Sequence, residues 1–141
     1  REAVRVAARR MMAAYFFDSN VFLYAAMRGL KPHERHKRPA AQALIEQHDF
    51  VVSTQVLAEF YDNIRRKGPA PFSHDEAMEW IELIRVRPCL PVDENVVVTG
   101  AMLAERYQIR YWDGAILAAA HELGAGTVFS EDLNDGQRYG D

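Results

Sequence analysis

Several common protein classes are excluded by what this chain lacks. It has a single cysteine, Cys89, in 141 residues, so no internal disulfide can form. No Cys/His spacing suggests a zinc site. No apolar run approaches the roughly 20 residues that span a bilayer. No charged start, apolar stretch and small-residue cleavage site combine into a secretory signal. There is no internal repeat, no low-complexity tract and no Ser/Gly-rich linker. Net charge is only −3. A lone thiol with no export or membrane signal points to a reducing, cytoplasmic home.

What is present suits one packed domain. Hydrophobic residues make up 49% of the chain and charged residues 26%, enough apolar material for a core. The charge is unevenly spread. Residues 1–67 hold 12 Lys/Arg against 7 acids, and residues 93–141 hold 3 against 9. Such polarity either sets a basic rim beside an acidic centre or is mixed away by folding. The first segment, "REAVRVAARRMM", places Arg1, Arg5 and Arg9 on one helical stripe. Residues 1–13 are expected to be a remnant of an extension or tag, with a basic arm as the alternative. The domain proper is expected over 14–141.

Short apolar strand candidates alternate with longer helical patterns. "AYFF" (14–17) predicts a first strand and "VFLYAAM" (21–27) the opening of a helix. Pro39 suits the first turn of a second helix, "AAQALIEQH". "DFVVS" (49–53) predicts a second strand, followed by a helix from about Gln55 to Arg66. Ser73 and Glu76 match the S-x-x-E box that opens a helix. Ala77, Trp80, Ile81 and Ile84 then recur on one helical face, and Pro88 stops it. "CLPV" (89–92) is a third strand candidate, with Asp93 placed to cap the next helix. "DGAILAAAHEL" (113–123) is a further helix, stopped by Gly124, and "GTVFS" (126–130) a fourth strand. Strands separated by helices imply right-handed crossovers and a parallel sheet. With only eleven residues after that strand, the last edge strand is expected to be missing or absent.

In open parallel sheets, ligands bind beyond the carboxyl ends of the strands. Four acids fall there: Asp18 after the first strand, Glu59 early in the helix after the second, Asp113 at the opening of "YWDGAILAAA", and Asp132 just past the fourth strand. Each has a plainer role open to it. Asp18 or Asn20 would cap the first helix, and Asp113 its own helix. Asp132 would turn with Asn134, Asp135 and Gly136. Glu59 would be an exposed helical residue, although its apolar neighbours Val56, Leu57 and Phe60 argue for burial. Convergent carboxylates repel each other and recruit a cation. Oxygen-only donors select hard ions, Mg²⁺ or Mn²⁺, which serve phosphoryl chemistry by activating water. None of His33, His36, His48, His74 or His121 is well placed as a general base.

At these residues the sequence resembles the PIN domain family, and within it the toxin ribonucleases of VapBC-type toxin–antitoxin pairs. The matching pieces are "FFDSNVFLYA", "STQVLAEFYDNIRRK", "YWDGAILAAAHELG" and "TVFSEDLNDGQ", in the family's order over roughly residues 14–137. The resemblance implies a three-layer α/β/α fold with a central parallel sheet of four to five strands. It also implies metal-dependent cleavage of RNA, homodimerisation and inhibition by a cognate antitoxin. Carried over, Asp18, Glu59, Asp113 and Asp132 match the acidic quartet that holds the metal. Asn20, Thr54 and Ser130 match polar positions assigned to orienting those acids. Asp135 either holds a metal water or only closes the turn, and Glu131 is expected to point away from the metal.

RNA would be repelled by bare carboxylates, so basic flanks are required. Arg28, Lys31, Arg35, Lys37 and Arg38 in one segment, and Arg65, Arg66 and Lys67 in another, suit the phosphate backbone. A solvated loop and a cation-stabilised helix end are the plainer readings. Tyr24, Phe60, Tyr61, Tyr111 and Trp112 are expected mainly in the core, with base stacking by Trp112 as the lesser alternative. A Mg²⁺- or Mn²⁺-dependent endoribonuclease is therefore the leading expectation. The alternative is a catalytically weak PIN module that binds RNA or an antitoxin. A phosphatase of the haloacid dehalogenase kind wants a second Asp two residues after the first, where Asn20 stands.

Overall fold

Four parallel strands form the centre of the molecule, in the order β3-β2-β1-β4. The computed structural model describes residues 15–131. The expectations placed on residues 1–13, on Asp132 and Asp135, and on a strand beyond residue 131 lie outside the described residues. The strands are β1 (Tyr15–Phe17), β2 (Phe50–Ser53), β3 (Cys89–Leu90) and β4 (Thr127–Phe129). The helices are α1 (Ser19–Ala26), α2 (Lys37–Gln47), α3 (Thr54–Ile64), α4 (His74–Arg85), α5 (Glu94–Tyr107) and α6 (Tyr111–Glu122). A short 3₁₀ turn, Pro32–Glu34, precedes α2. Among the described residues, no helix is long and apolar enough to cross a membrane.

The strand order explains the layers. The chain steps from β1 to β2 to β3 in one direction, then returns across the sheet to β4. Right-handed crossovers put α1–α4 on one face and α5–α6 on the other. The packing divides the same way: α1 against α2 and α3, α3 against α4, and α5 against α6. The expected α/β/α sandwich with a parallel sheet is therefore present.

Aromatic side chains lock the first layer to the sheet. Phe17 stacks on Phe50 at 5.0 Å and meets Phe129 at 5.6 Å, so three adjacent strands share one contact. Phe22 of α1 meets Phe50 edge-on at 5.3 Å. Burying each such side chain contributes on the order of 2–3 kcal/mol. This cluster fixes β1, β2, β4 and α1 against one another, with Phe17 and Phe129 at the carboxyl ends of their strands and Phe50 at the start of β2.

The second layer is built on close backbone approach. A Cβ on Gly114 of α6 would collide with the Gly100 carbonyl of α5, and one on Gly100 would lie 2.9 Å from the Ala115 Cα. Both glycines are therefore required by the crossing itself.

Helix ends follow the local chemistry. Ser73 and Glu76 close a complete capping box at the start of α4. Asp93 caps α5 by accepting from Val96 N at 3.0 Å. At the end of α6, Gly124 takes a φ of 74°. Its amide reaches the His121 carbonyl and that of Ala125 reaches Ala120, the paired bonds of a Schellman stop. One expectation is corrected here. Asp113 does not open or cap its helix. The helix begins at Tyr111, with Arg110 in the capping position and no side-chain cap bond. Arg110 has the extended backbone a cap needs, so the turn starts two residues earlier and leaves Asp113 inside it.

Candidate functional site

The order β2-β1-β4 makes the carboxyl ends of β1 and β4 a topological switch point, where open α/β sheets form ligand crevices. Phe17 pairs with Phe129, so Asp18 and Ser130 emerge side by side. Asp18 is only 4% exposed. Its Oδ1 accepts from Ser19 N at 2.7 Å, and its Oδ2 accepts from Ser130 Oγ at 2.7 Å. The first bond makes Asp18 the cap of α1, as its position allowed. The second ties it across the switch point.

From there a hydrogen-bond chain runs through three elements. Ser19 Oγ donates to Glu59 Oε2 at 3.1 Å. Gln55 Nε2 donates to Glu59 Oε1 at 3.0 Å and to the Trp112 carbonyl at 3.1 Å. Glu59 is half-buried on α3, between the buried Val56 and Phe60. Trp112 directly precedes Asp113, which is 6% exposed and accepts from Arg110 Nε at 3.2 Å. The network thus links β4, β1, α1, α3 and the opening of α6. Three of the four expected acids fall on this one edge, and Asp132 is outside the described residues.

A cavity of about 890 Å³ opens over this edge. Ser19, Asn20, Glu59 and Glu131 bring polar groups to it, and Lys31, Arg66, Lys67 and Arg110 bring charge of the opposite sign. No histidine lines it among the described residues. Asn20 therefore faces the site. Thr54 instead accepts from Val92 N at 3.0 Å, joining the start of α3 to the exit of β3. Among the described residues, no three His, Cys, Asp or Glu side chains are grouped closely enough to hold a metal ion.

The expected basic track divides in two. Lys31, Arg66 and Lys67 reach the cavity, and Arg66 also grips Asp62 at 2.7 Å. Of the remainder, Arg28, Arg35 and Arg65 are engaged elsewhere. Arg28 pairs with Glu76 at 2.6 Å and lies over the Phe72 ring. Arg35 donates to the Leu30 carbonyl, and Arg65 to the Tyr61 hydroxyl. Arg38 Nε is buried with no hydrogen-bond partner among the described residues. Lys37 meets Glu131 at 2.8 Å and Tyr24 Oη at 3.3 Å, while Tyr24 Oη donates to Glu131 at 3.2 Å.

That Tyr24–Lys37–Glu131 clasp was not visible in the sequence. It joins α1 and α2 to the residue after Ser130, across a separation of 107 positions, and no local pattern signals it. The Glu131 carboxylate holds the Lys37 ammonium protonated well above the usual lysine range. Burial, as the largest cause, raises the Tyr24 hydroxyl above its ordinary value. Trp112 also departs from expectation. It is 57% exposed rather than packed in the core.

A family model described as the PIN domain matches residues 15–137. Several solved structures share the fold. The crystal structure of VapC20 from Mycobacterium tuberculosis, a sarcin-ricin loop cleaving toxin, superposes with a TM-score of 0.66 at 17% identity, covering 84% of this chain and 92% of that one. A toxin–antitoxin complex from Klebsiella pneumoniae gives 0.60 at 13% identity, covering 87% and 92%. FitAcB from Neisseria gonorrhoeae gives 0.56 at 21% identity, covering 84% and 87%. No curated protein matches the sequence.

Proposed function

Because the chain belongs to the PIN domain family, we propose that it is the nuclease of a toxin–antitoxin pair, an endoribonuclease that hydrolyses RNA phosphodiesters with a divalent ion. The observation that carries this reading is the buried Asp18, tied to Ser130 across the switch point and joined through Ser19 and Gln55 to the edge that bears Glu59 and Asp113. Burying a carboxylate is costly unless a partner or a cation compensates it.

The chemistry of the donor set, rather than the spacing of the described acids, favours a hard ion. Asp18, Glu59 and Asp113 offer only oxygen, the chemistry that selects Mg²⁺ or Mn²⁺ over softer metals. These three, with Asp132, are the residues that would hold it. Bound there, such an ion would supply Lewis-acid polarisation of the phosphodiester and of the attacking water.

The chain's own residues do the rest. Ser130 and the Ser19 amide hold the two oxygens of Asp18 in place, and Ser19 Oγ with Gln55 does the same for Glu59. Fixing both oxygens of each acid sets where their charge is directed before substrate arrives. Lys31, Arg66, Lys67 and Arg110 sit around the cavity, where they offset the charge of an incoming phosphate backbone. The other partners we propose are a cognate antitoxin and a second copy of the chain, in the cytoplasm.

The Arg110–Asp113 ion pair favours a second reading, because it already compensates one of the acids. On that reading the domain mainly binds RNA or an antitoxin and cleaves weakly. One experiment separates them. Purified protein is incubated with RNA, with and without Mg²⁺, beside Asp18→Asn. Cleavage that stops in EDTA, returns with Mn²⁺ and is lost in the variant is expected. Unchanged cleavage in chelator removes the ion from the mechanism, and full activity of Asp18→Asn removes the site.

A further inference from the structure

Trp112 stands out because a large apolar ring is exposed beside buried acids. It is 57% exposed and immediately precedes Asp113. It lines the cavity over the sheet edge, and it also lines a shallower groove of about 620 Å³ with Thr54, Gln55, Ala58, Tyr111 and Val92. Glu59 borders both hollows, so the groove is continuous with the candidate site. The groove's one further acid, Asp62, is engaged by Arg66 at 2.7 Å.

The ring is held in place. Tyr111 braces it edge-to-face at 5.0 Å and 71°. Its carbonyl accepts from Gln55, the side chain that also orients Glu59. A braced, exposed aromatic face costs little entropy to use as a stacking platform. Charge complementarity identifies what it takes. The adjoining cavity presents Lys31 and Lys67, with Arg66 and Arg110 already paired to Asp62 and Asp113, beside Glu34, Glu59 and Glu131. The two lysines suit a polyanionic backbone at the rim of the acids, while the groove presents an apolar plane. That pairing, cations for phosphates and an aromatic face for a base, is how proteins bind single-stranded nucleic acid.

We propose that Trp112 is the stacking platform for one unpaired nucleobase of the substrate, seated in the groove beside the phosphate bound at the acids. The assignment rests on the nuclease reading for the identity of the strand. It adds that the substrate must be single-stranded at that nucleotide, because a paired base offers no free face.

The test reads binding, not cleavage. The chain has two tryptophans, and Trp80→Phe leaves Trp112 as the sole reporter. Titration with a single-stranded oligoribonucleotide in EDTA should quench its emission, while the same sequence fully paired should not. Trp112→Ala should weaken binding by roughly 5- to 150-fold, the range of one base stack, and Trp112→Phe should restore most of it. Equal affinity of Trp112→Ala for the single strand, or binding without quenching, would overturn the proposal. Quenching by a co-purified antitoxin but not by RNA would also overturn it, in favour of a protein contact. The two readings fail separately. RNA cleavage that is indifferent to Trp112→Ala sinks the platform and leaves the nuclease. Quenching by single strands without cleavage under any divalent ion does the reverse.

Discussion

Helices α4 and α6 begin with the same spacing, a polar residue in the capping position and an acid three residues on, yet the two acids have opposite fates. At α4, Glu76 turns back to accept from Ser73 N at 3.0 Å while its own amide donates to Ser73 Oγ at 3.2 Å. Both groups are exposed, and the carboxylate is shared between finishing the helix and pairing with Arg28 at 2.6 Å. At α6, Arg110 offers no acceptor, so the first amides of the helix have no side-chain cap. Asp113 lies in that first turn, almost fully buried, its charge facing the positive end of the helix and the Arg110 guanidinium. The guanidinium is 67% exposed and therefore well screened. Helix position alone thus does not separate a cap from a site. What separates them is where the helix starts: α4 opens at the surface, and α6 opens onto the sheet edge beside Gln55 and Glu59.

The largest expected break in this comparison comes from the same chemical change made at both helices. Asp113→Asn should lower RNA cleavage by at least ~100-fold, beyond the loss of an orienting partner, with an unchanged circular dichroism spectrum. Glu76→Gln should leave cleavage intact. Equal activity of the two variants would mean that Asp113 is only another helix-start acid. Next in size is Gly114→Ala. Alanine gains about 1 kcal/mol in helix propensity, but here its Cβ meets the backbone of Gly100 and Ala104, which cannot give way as a side chain tip would. A net loss of roughly 1–3 kcal/mol is expected, read as a lower urea midpoint. A more stable Gly114→Ala would show that the α5–α6 crossing does not set the depth of Asp113.

Two smaller effects sharpen the other side. Ser73→Ala should cost about 1 kcal/mol and lower Tm by about 3 °C, with no change in cleavage. A matching fall in activity at permissive temperature would couple the α4 cap to the site after all. The smallest effect is in acid. The Ser73 amide, as the largest cause, holds the Glu76 carboxyl below its ordinary 4.5. The cap's contribution is therefore full above that pH and fades as the pH falls through the lowered value. Between about pH 5 and pH 3, Glu76→Gln should show a flatter fall in stability than wild type. Parallel curves would assign the acid sensitivity to other carboxylates.

The shared edge of the candidate residues was legible because strand ends are legible. Asp18 and Ser130 each follow a short apolar run, and parallel topology alone brings such ends to one edge. Glu59 stood out as an acid among Val56, Leu57 and Phe60. Long-range pairing carries no such local signal. Nothing near Lys37 announces Glu131. Of the eight basic residues expected in two segments, four face the cavity or join the clasp, Arg28, Arg35 and Arg65 are engaged elsewhere, and the Arg38 Nε has no hydrogen-bond partner among the described residues. Trp112 is expected in the core because aromatic residues are usually buried. Its exposure depends on α6 starting at Tyr111, which turns Asp113 inward and leaves Trp112 at the surface.

By itself the sequence determined the periodicities, the capping box at Ser73, the stop at Gly124 and the alternation of strand and helix that makes a parallel sheet. These depend on neighbours within a few residues, where backbone geometry and side-chain chemistry act directly. Only the tertiary structure decided that β4 returns beside β1, that Ser130 thereby grips Asp18, and that one helix-start acid is buried while another stays at the surface. Those outcomes depend on which distant segments share the limited space at the sheet's carboxyl edge. Close packing settles that competition through contacts between residues far apart in the chain.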